Sequence, residues 1–252
     1  MTSATAELSV ADVIVDEIPN GGVFNMSMDA ALLQLATERE RSVVRIYQWS
    51  EPTVTLGYFQ GSGQAVESPF QGLPVVRRLS GGGAILHDQE ITYSLVLPAS
   101  HPARQDPSAV YQTVHRAIIR LLSDSGLPCQ LRSEFDAVNS NKAITDTAAE
   151  PFLCFLRKNA NDIVHASGNK IVGSAQRRRK GVTLQHGSII LKASRVVPLV
   201  PGIGDLEPNF SNTDFRQSLP GMIAGSISHS VNSRSYTQTE KSLAAIIASE
   251  TR

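Results

Sequence analysis

The sequence predicts an α+β domain, a mixed β-sheet with a few helices in one unit. Three observations predict it. β-Rich runs bounded by turn signals occupy 43–59, 84–98 and 161–191. Apolar residues recur at helical spacing over ~25–39 and from Val110 to Leu121. The length, 252 residues with 41% hydrophobic and 18% charged side chains, suits one domain with a sizeable core and no internal repeat.

The elements follow in order. Phe24, Met28, Leu32 and Leu35 mark the first amphipathic helix. VVRIYQW (43–49) and TVTLGYF (53–59) read as strands parted by Ser-Glu-Pro. Leu73 to Arg77 and Ala84 to His87 are short strands on either side of three glycines, and ITYSLVLP (91–98) is a further strand stopped by Pro98. His101 to Asp106 reads as a polar connector. Val110, Val114, Ile118 and Leu121 give a second helix, ended near Gly126-Leu-Pro. Residues 137–151 are small, polar and unpatterned, which predicts a mobile loop. NDIVHA (161–166) and KIVGSAQ (170–176) form a hairpin across Ser-Gly-Asn, and RRRKGV separates it from the strand TLQHGSIIL (183–191). From Val200 to Asn232 the pattern weakens. Thr237 with Glu240 forms a capping box that opens a final helix through Ala248.

Composition removes several function classes. A net charge of zero does not indicate a general nucleic-acid binder. No run of ~18 apolar residues suggests a membrane span. The N-terminus, MTSATAELSVADVIVDEI, is acidic and lacks a basic region followed by an apolar one, so it reads as a cytoplasmic start. Only Cys129 and Cys154 are present, which excludes a disulfide framework and a cysteine-built zinc site. No metal site is expected.

Two segments carry more polar and conformationally special residues than a core needs. In RRLSGGGAILHDQEITYS (77–94) the glycines permit positive φ and close backbone approach, and their N–H groups can cradle a carbonyl or a phosphate. A glycine triplet by itself is commonly a tight turn. Here Arg77 and Arg78 precede it and His87-Asp88 close the strand after it, so four polar groups can converge on one pocket. In KIVGSAQRRRKGVTLQHGS (170–188), Gly173-Ser174-Ala175 is a small-residue run inside a strand, and Gln185-His186-Gly187 repeats the arrangement. Lys170 starts that strand, from where its ammonium can reach over the sheet edge. The alternative is a solvated turn lysine.

These two segments, with LQHGSIIL, FNMSMDAAL and WSEPTVTLGYFQ, resemble the lipoate–protein ligase and octanoyltransferase family, related in fold to biotin protein ligases. The resemblance runs from about Val23 to Leu191. It implies a catalytic-domain fold with a mixed sheet flanked by helices, a core over 23–191, and a C-terminal extension, 192–252, packed on the core and ending in a helix. It also implies an acyl tunnel walled by the glycine loop, with a lysine at its reactive end. Carried over by position, Arg77, Arg78, Ser80, Gly81, Gly82, Gly83, His87, Gly173, Ser174, Ala175, Gln185, His186 and Gly187 bind acyl substrate, and Lys170 hydrogen-bonds the acyl carbonyl.

Within the family, PFLCF places Cys154 ahead of the Lys170 strand, as in the octanoyltransferases whose nucleophile sits in that loop. HDQEITYS is similar to that branch, whereas ligases commonly carry Gly-Asn after the His-Asp and a short spacer. The branch often has Pro-Ser after the cysteine segment, where this chain has LRKNAND. The implied reaction moves octanoyl from acyl carrier protein to a lysine of a lipoyl-carrying protein, a glycine cleavage H protein or an E2 lipoyl domain, through a Cys154 thioester. It needs no cofactor. The alternatives are an ATP-dependent lipoate ligase, which would use ATP and Mg, an amidotransferase between carrier proteins, and a binding module without turnover. Cysteine is nucleophilic only as thiolate, with a reference pKa of ~8.5, and cationic neighbours favour that form. Otherwise Cys154 is a small buried hydrophobe between Leu153 and Phe155, the reading kept for Cys129. His165 reads as surface. His87 and His186 read as shaping the pocket by hydrogen bonds. Arg177 to Lys180 is a solvated loop or a docking edge for acidic carriers.

Overall fold

A computed structural model of the chain describes residues 10–61, 68–139 and 151–250. Its strands are β1 (Val10–Val15), β2 (Ser42–Tyr47), β3 (Thr53–Leu56), β4 (Val75–Arg77), β5 (Ile85–His87), β6 (Glu90–Leu97), β7 (Cys129–Leu131), β8 (Ile163–His165), β9 (Lys170–Arg179), β10 (Val182–Ile190) and β11 (Ser230–Ser233). Eight of them form the main sheet, in the order β11-β1-β2-β6-β10-β9-β8-β7, and β4-β3-β5 form a small one. Strand β1 pairs parallel with β11 and β2, and every other neighbour in the main sheet is antiparallel. The mixed sheet predicted from sequence is therefore present.

The central strands β2, β6 and β10 are buried along their whole length, because helices cover both faces. The helices are α1 (Gly22–Leu35), α2 (Pro107–Asp124), α3 (Arg132–Val138), α4 (Ile203–Leu206), α5 (Asn212–Ile227) and α6 (Gln238–Glu250). Helix α2 starts where the Asp106 side chain accepts from the Ala109 amide and Pro107 takes the first turn. Its Val110, Val114, Ile118 and Leu122 pack with Phe215, Leu219 and Ile223 of α5 on one face, over Val44, Tyr93 and Leu95. On the other face Met28 and Leu32 of α1 meet Val43, Val96, Leu184 and Ala244 of α6. No described helix is long and apolar enough to cross a membrane.

The structure adds elements that the sequence reading did not place and corrects others. The N-terminal segment contributes β1, an inner strand with four consecutive buried residues. The arginines at 177–179 lie within β9, and only Lys180-Gly181 turn to β10, both at positive φ. The connector 101–106 holds a 3₁₀ turn, Pro102–Gln105. The weakly patterned stretch after Val200 forms α4, α5 and β11. Of the predicted loop 137–151, the first two residues end α3, and 140–150 lie outside the described residues.

Segments around Asp16 and Tyr236 are tied to the core by hydrogen bonds and charge. Arg45 on β2 is fully buried, and its N–H groups have acceptors on four residues. Nε donates to Tyr236 Oη (2.5 Å), Nη1 to Asp29 Oδ1 and the Asn25 carbonyl (both 3.0 Å), and Nη2 to Asp16 Oδ2 (2.7 Å) and Asn25 Oδ1 (2.8 Å). Burial pulls the Arg45 pKa down, and Asp29 and Asp16 more than offset it, so the guanidinium stays charged. Removing one partner of such a pair costs about 3–5 kcal/mol. The exposed Arg116–Glu134 pair belongs to a class that contributes about 0–1 kcal/mol.

The predicted capping box is present. The Glu240 amide donates to Thr237 Oγ1 (3.2 Å), and the Thr237 amide donates to Glu240 Oε2 (2.7 Å). Arg234 and Arg39 also pair with Glu240. Burial pushes this carboxyl up, but the hydrogen bonds from Arg234, Arg39 and the Thr237 amide leave it at about 2. A carboxyl lower in the folded than in the unfolded state stabilises above its unfolded pKa of about 4.3, and that contribution fades as pH falls toward 2. Chemical denaturation across pH 6 to 2 therefore shows a loss of stability that is smaller in Glu240→Gln, although the variant is less stable at pH 6.

Candidate active site

Strands β4 and β5 lie on opposite sides of β3, so residues 78–84 must cross over its end. The crossing is tight. Gly82 sits at φ +94°, and its carbonyl oxygen is 2.1 Å from where a Cβ on Gly57 would stand. Arg78, 1% exposed, gathers the loop from behind. Nη1 donates to the Thr55 carbonyl (3.0 Å), and Nη2 donates to the Gly81 (2.8 Å) and Gly83 (2.6 Å) carbonyls. Burial lowers its pKa to about 10, with Cys154 opposing the shift and Arg157 adding to it.

The loop then pairs with the cysteine segment. Ala84 donates its amide to the Phe152 carbonyl (2.9 Å) and accepts from the Cys154 amide (2.7 Å). A Cβ on Gly83 would lie 2.6 Å from Arg157 Nε and 2.8 Å from the Phe152 oxygen, so this contact requires glycine. Cys154 opens a 3₁₀ turn, Cys154–Leu156, and is half-buried, with Sγ 3.9 Å from the Cβ position of Gly82.

Lys170 reaches the same segment from β9. A Cβ on Gly173 would lie 2.6 Å from Lys170 Cε, so that glycine makes room for the lysine stem. Lys170 is 8% exposed, and its ammonium pairs with Asp162 Oδ1 (3.0 Å), donates to the Cys154 carbonyl (3.2 Å) and lies 5.0 Å from the Phe155 ring centre. It is not a solvated turn lysine. Burial raises the Asp162 pKa, and Lys170 partly offsets the rise.

Cys154, Arg78, His87, Gly173, Ser174, Ala175, His186 and Gly187 border one cavity, together with Met26, Tyr47, Thr92 and Phe155. Both nitrogens of each histidine are engaged. His87 contacts Glu90 Oε1 (2.7 Å) and Thr55 Oγ1 (2.9 Å) and stacks on Trp49 at 4.0 Å. His186 Nε2 meets Ser80 Oγ (2.5 Å), and Nδ1 faces Asp29 Oδ2 at 3.6 Å. Burial lowers the His186 pKa against the pull of Asp29, so the ring sits as a neutral wall group. Burial raises the Asp29 pKa, but His186 and Arg45 leave it below the ordinary carboxylate range.

The structure separates other residues that the sequence grouped. Of the four polar groups expected to converge, only Arg78 and His87 border this cavity. Arg77 turns outward, where Nη1 donates to the Gly57 (2.9 Å) and Gln60 (2.7 Å) carbonyls, and Asp88 borders a different cavity. Gln185 donates to Tyr93 Oη (2.9 Å). The space at Gly187 is filled from within, because Ser174 Oγ and the Tyr93 ring would lie 2.3 Å and 2.6 Å from a Cβ there. His165 is buried, not at the surface, and bonds Ser167 and Glu207. Cys129 packs half-buried against the main core, and burial lifts its thiol to about 11. Among the described residues no three His, Cys, Asp or Glu side chains gather as metal ligands would.

Asp29, Asp162, Glu90 and Tyr47 escaped the sequence reading. Asp29 lies inside FNMSMDAAL and Asp162 is the second residue of NDIVHA, so each had a signal in a polar residue beside apolar ones.

Gly187→Ala must push Ser174 and a fully buried Tyr93 apart, at a cost of about 1–3 kcal/mol in urea unfolding. Adding Ser174→Gly, which removes the shortest contact, restores part of the loss.

Comparison with known proteins supplies the family. The family model described as lipoyl protein ligase A/B catalytic domain matches residues 22–197. The octanoyltransferase LipM of Macrococcus caseolyticus is 35% identical over 178 residues, 68% of this chain and 62% of that protein. The octanoyltransferase LipM of Brevibacillus brevis is 37% identical over 174 residues, 66% of this chain and 61% of that protein. The alignments thus span less than two thirds of these relatives. A bipartite lipoate protein ligase from Thermoplasma acidophilum, studied with its E2 lipoyl domain, superposes with a TM-score of 0.70 at 19% identity, over 97% of this chain and 93% of that one. At that identity the likeness shows the shared fold.

Proposed function

The chain belongs to the lipoyl protein ligase A/B catalytic-domain family, and from that premise we propose that it is a cysteine octanoyltransferase. It moves octanoyl from acyl carrier protein to a lysine of a lipoyl-carrying protein, in the cytoplasm. The observation that carries the reading is a half-buried cysteine that borders a cavity, with a buried lysine at its carbonyl and the glycine loop beside its thiol.

The Cys154 thiolate attacks the thioester carbonyl, the carbon–sulfur bond to the carrier breaks, and the carrier leaves as its thiolate. The acceptor amine then attacks octanoyl-Cys154, an amide forms, and the Cys154 thiol is restored. Two thioester-level steps replace one difficult transfer. In each, negative charge builds on the carbonyl oxygen. Lys170, with its ammonium already at the Cys154 carbonyl, donates to that oxygen together with loop amides. The other positions proposed for acyl binding are Ser80, Gly81, Gly82, Gly83, His87, Gly173, Ser174, Ala175, Gln185, His186 and Gly187, with Arg77 and Arg78 bracing the loop. The thioester supplies the driving force, so neither ATP nor another cofactor is required. Arg178 and Arg179, exposed at the end of β9, form a basic edge that steers acidic carriers toward the site.

Transfer from octanoyl-acyl carrier protein to an apo lipoyl domain, assayed without ATP, tests this. Cys154→Ala abolishes transfer, and Lys170→Met lowers kcat by about 10²–10³, the size of one lost oxyanion donor. Acylation that needs ATP and free octanoate and survives Cys154→Ala contradicts the reading.

A further inference from the structure

His115 on α2 has no part in the chemistry above, yet it ends a hydrogen-bond chain under the site. The chain occupies the α2 face of the sheet. Gly187 on β10 stands between Tyr93 on β6 and Ser174 on β9, and with no Cβ between them their hydroxyls meet at 2.7 Å. Ser174 Oγ lies 2.6 Å from His115 Nε2, and His115 Nδ1 contacts the Asn161 carbonyl.

The direction of every bond follows from the last. A carbonyl only accepts, so Nδ1 carries the hydrogen. Burial lowers the His115 pKa to about 4, partly opposed by the Asn161 carbonyl and deepened by Lys170, so Nε2 is bare and accepts from Ser174. Ser174 has then used its one proton, so Tyr93 must donate to it. Gln185 in turn donates to Tyr93 (2.9 Å), and Gln176 donates to Gln185 (2.8 Å). A ring with so low a pKa is a poor proton acceptor at neutral pH, so the chain serves geometry rather than proton transfer.

What it holds is the turn that carries Asp162. Within that turn the Asn159 amide donates to Asp162 Oδ2 (2.8 Å), and the Asp162 amide donates to the Asn159 carbonyl (3.0 Å). Asp162 Oδ1 then holds Lys170. We propose that His115, as the Nδ1–H form, is a positioning residue that pins the Asn161–Asp162 turn and so keeps the Lys170 ammonium at the Cys154 segment. The catalytic consequence rests on the roles given above to Lys170 and Cys154.

The test compares His115→Asn, His115→Gln and His115→Phe in the full chain. An asparagine amide N–H can stand near the Nδ1 position and keep the bond to Asn161. A glutamine places its polar end near Nε2 and loses that bond. We expect His115→Asn to keep kcat within about threefold of the parent. His115→Gln and His115→Phe lose about tenfold or more in kcat with little change in KM for the octanoyl donor. Equal losses in Asn and Gln that follow the thermal midpoint, or full kcat in Phe, overturn the proposal.

A second readout needs no turnover. Acetic anhydride labelling of Lys170, read by peptide mass spectrometry, speeds up several-fold in Gln and Phe but not in Asn. Unchanged labelling in all three overturns the link. If the parent protein shows no ATP-independent transfer while the labelling pattern holds, the octanoyltransferase reading fails and the His115 link stands.

Discussion

The buried guanidinium of Arg45 is the constraint on which the rest of the structure depends. A charge in the core is tolerated only with its donors satisfied and counter-charges beside it. Here that condition gathers Asp16 just beyond β1, Asn25 and Asp29 from α1, and Tyr236 ahead of α6. The same Asp29 also accepts from Ser94 and Tyr47, and it faces His186. His186 meets Ser80 at the entrance to the glycine loop. Residues remote in sequence are thus connected to the site by contiguous buried contacts. Asp16 and Tyr236 lie outside the segment that the family model matches, yet both contact Arg45.

The second constraint is steric. The loop from Arg78 to Ala84 crosses Gly57 and presses on the Phe152–Cys154 backbone with no room for side chains at Gly57 or Gly83. Backbone pairing at Ala84 then places the Cys154 thiol beside the loop. Lys170 arrives from the other side, held by Asp162 in a channel left open by Gly173. A thiol that borders the cavity and a cation at the same segment are thus placed by separate parts of the chain. That arrangement suits electrostatic stabilisation of an oxyanion, which gains most from groups already in place.

Elements with a strong pattern and deep burial were legible in the sequence, such as β6, β10 and α2, and so was the Thr237–Glu240 cap. Helix α5 was not. It carries Pro220, Gly221 and Gly225, and it holds because Phe215, Leu219, Ile223 and Ala224 face the core, so packing outweighs local propensity. Strand β11 is exposed at every residue, and its pairing with β1 places it, which no pattern of its own could announce. At the site, Arg77 and Arg78 are neighbours in sequence, but one braces an outer loop and the other lies buried behind the glycines. The glycines at 173 and 187 read as openings for a ligand. In the structure they border the cavity and also make room for Lys170 and for the Tyr93–Ser174 contact, which depends on cross-strand register.

The central claim is that Cys154 carries the acyl group. The direct measurement is intact-protein mass spectrometry after mixing with octanoyl-acyl carrier protein, without acceptor or ATP, followed by peptide mapping. The account predicts one octanoyl adduct, labile to hydroxylamine, on the peptide containing Cys154. No adduct, or a hydroxylamine-stable adduct on another residue, would contradict it.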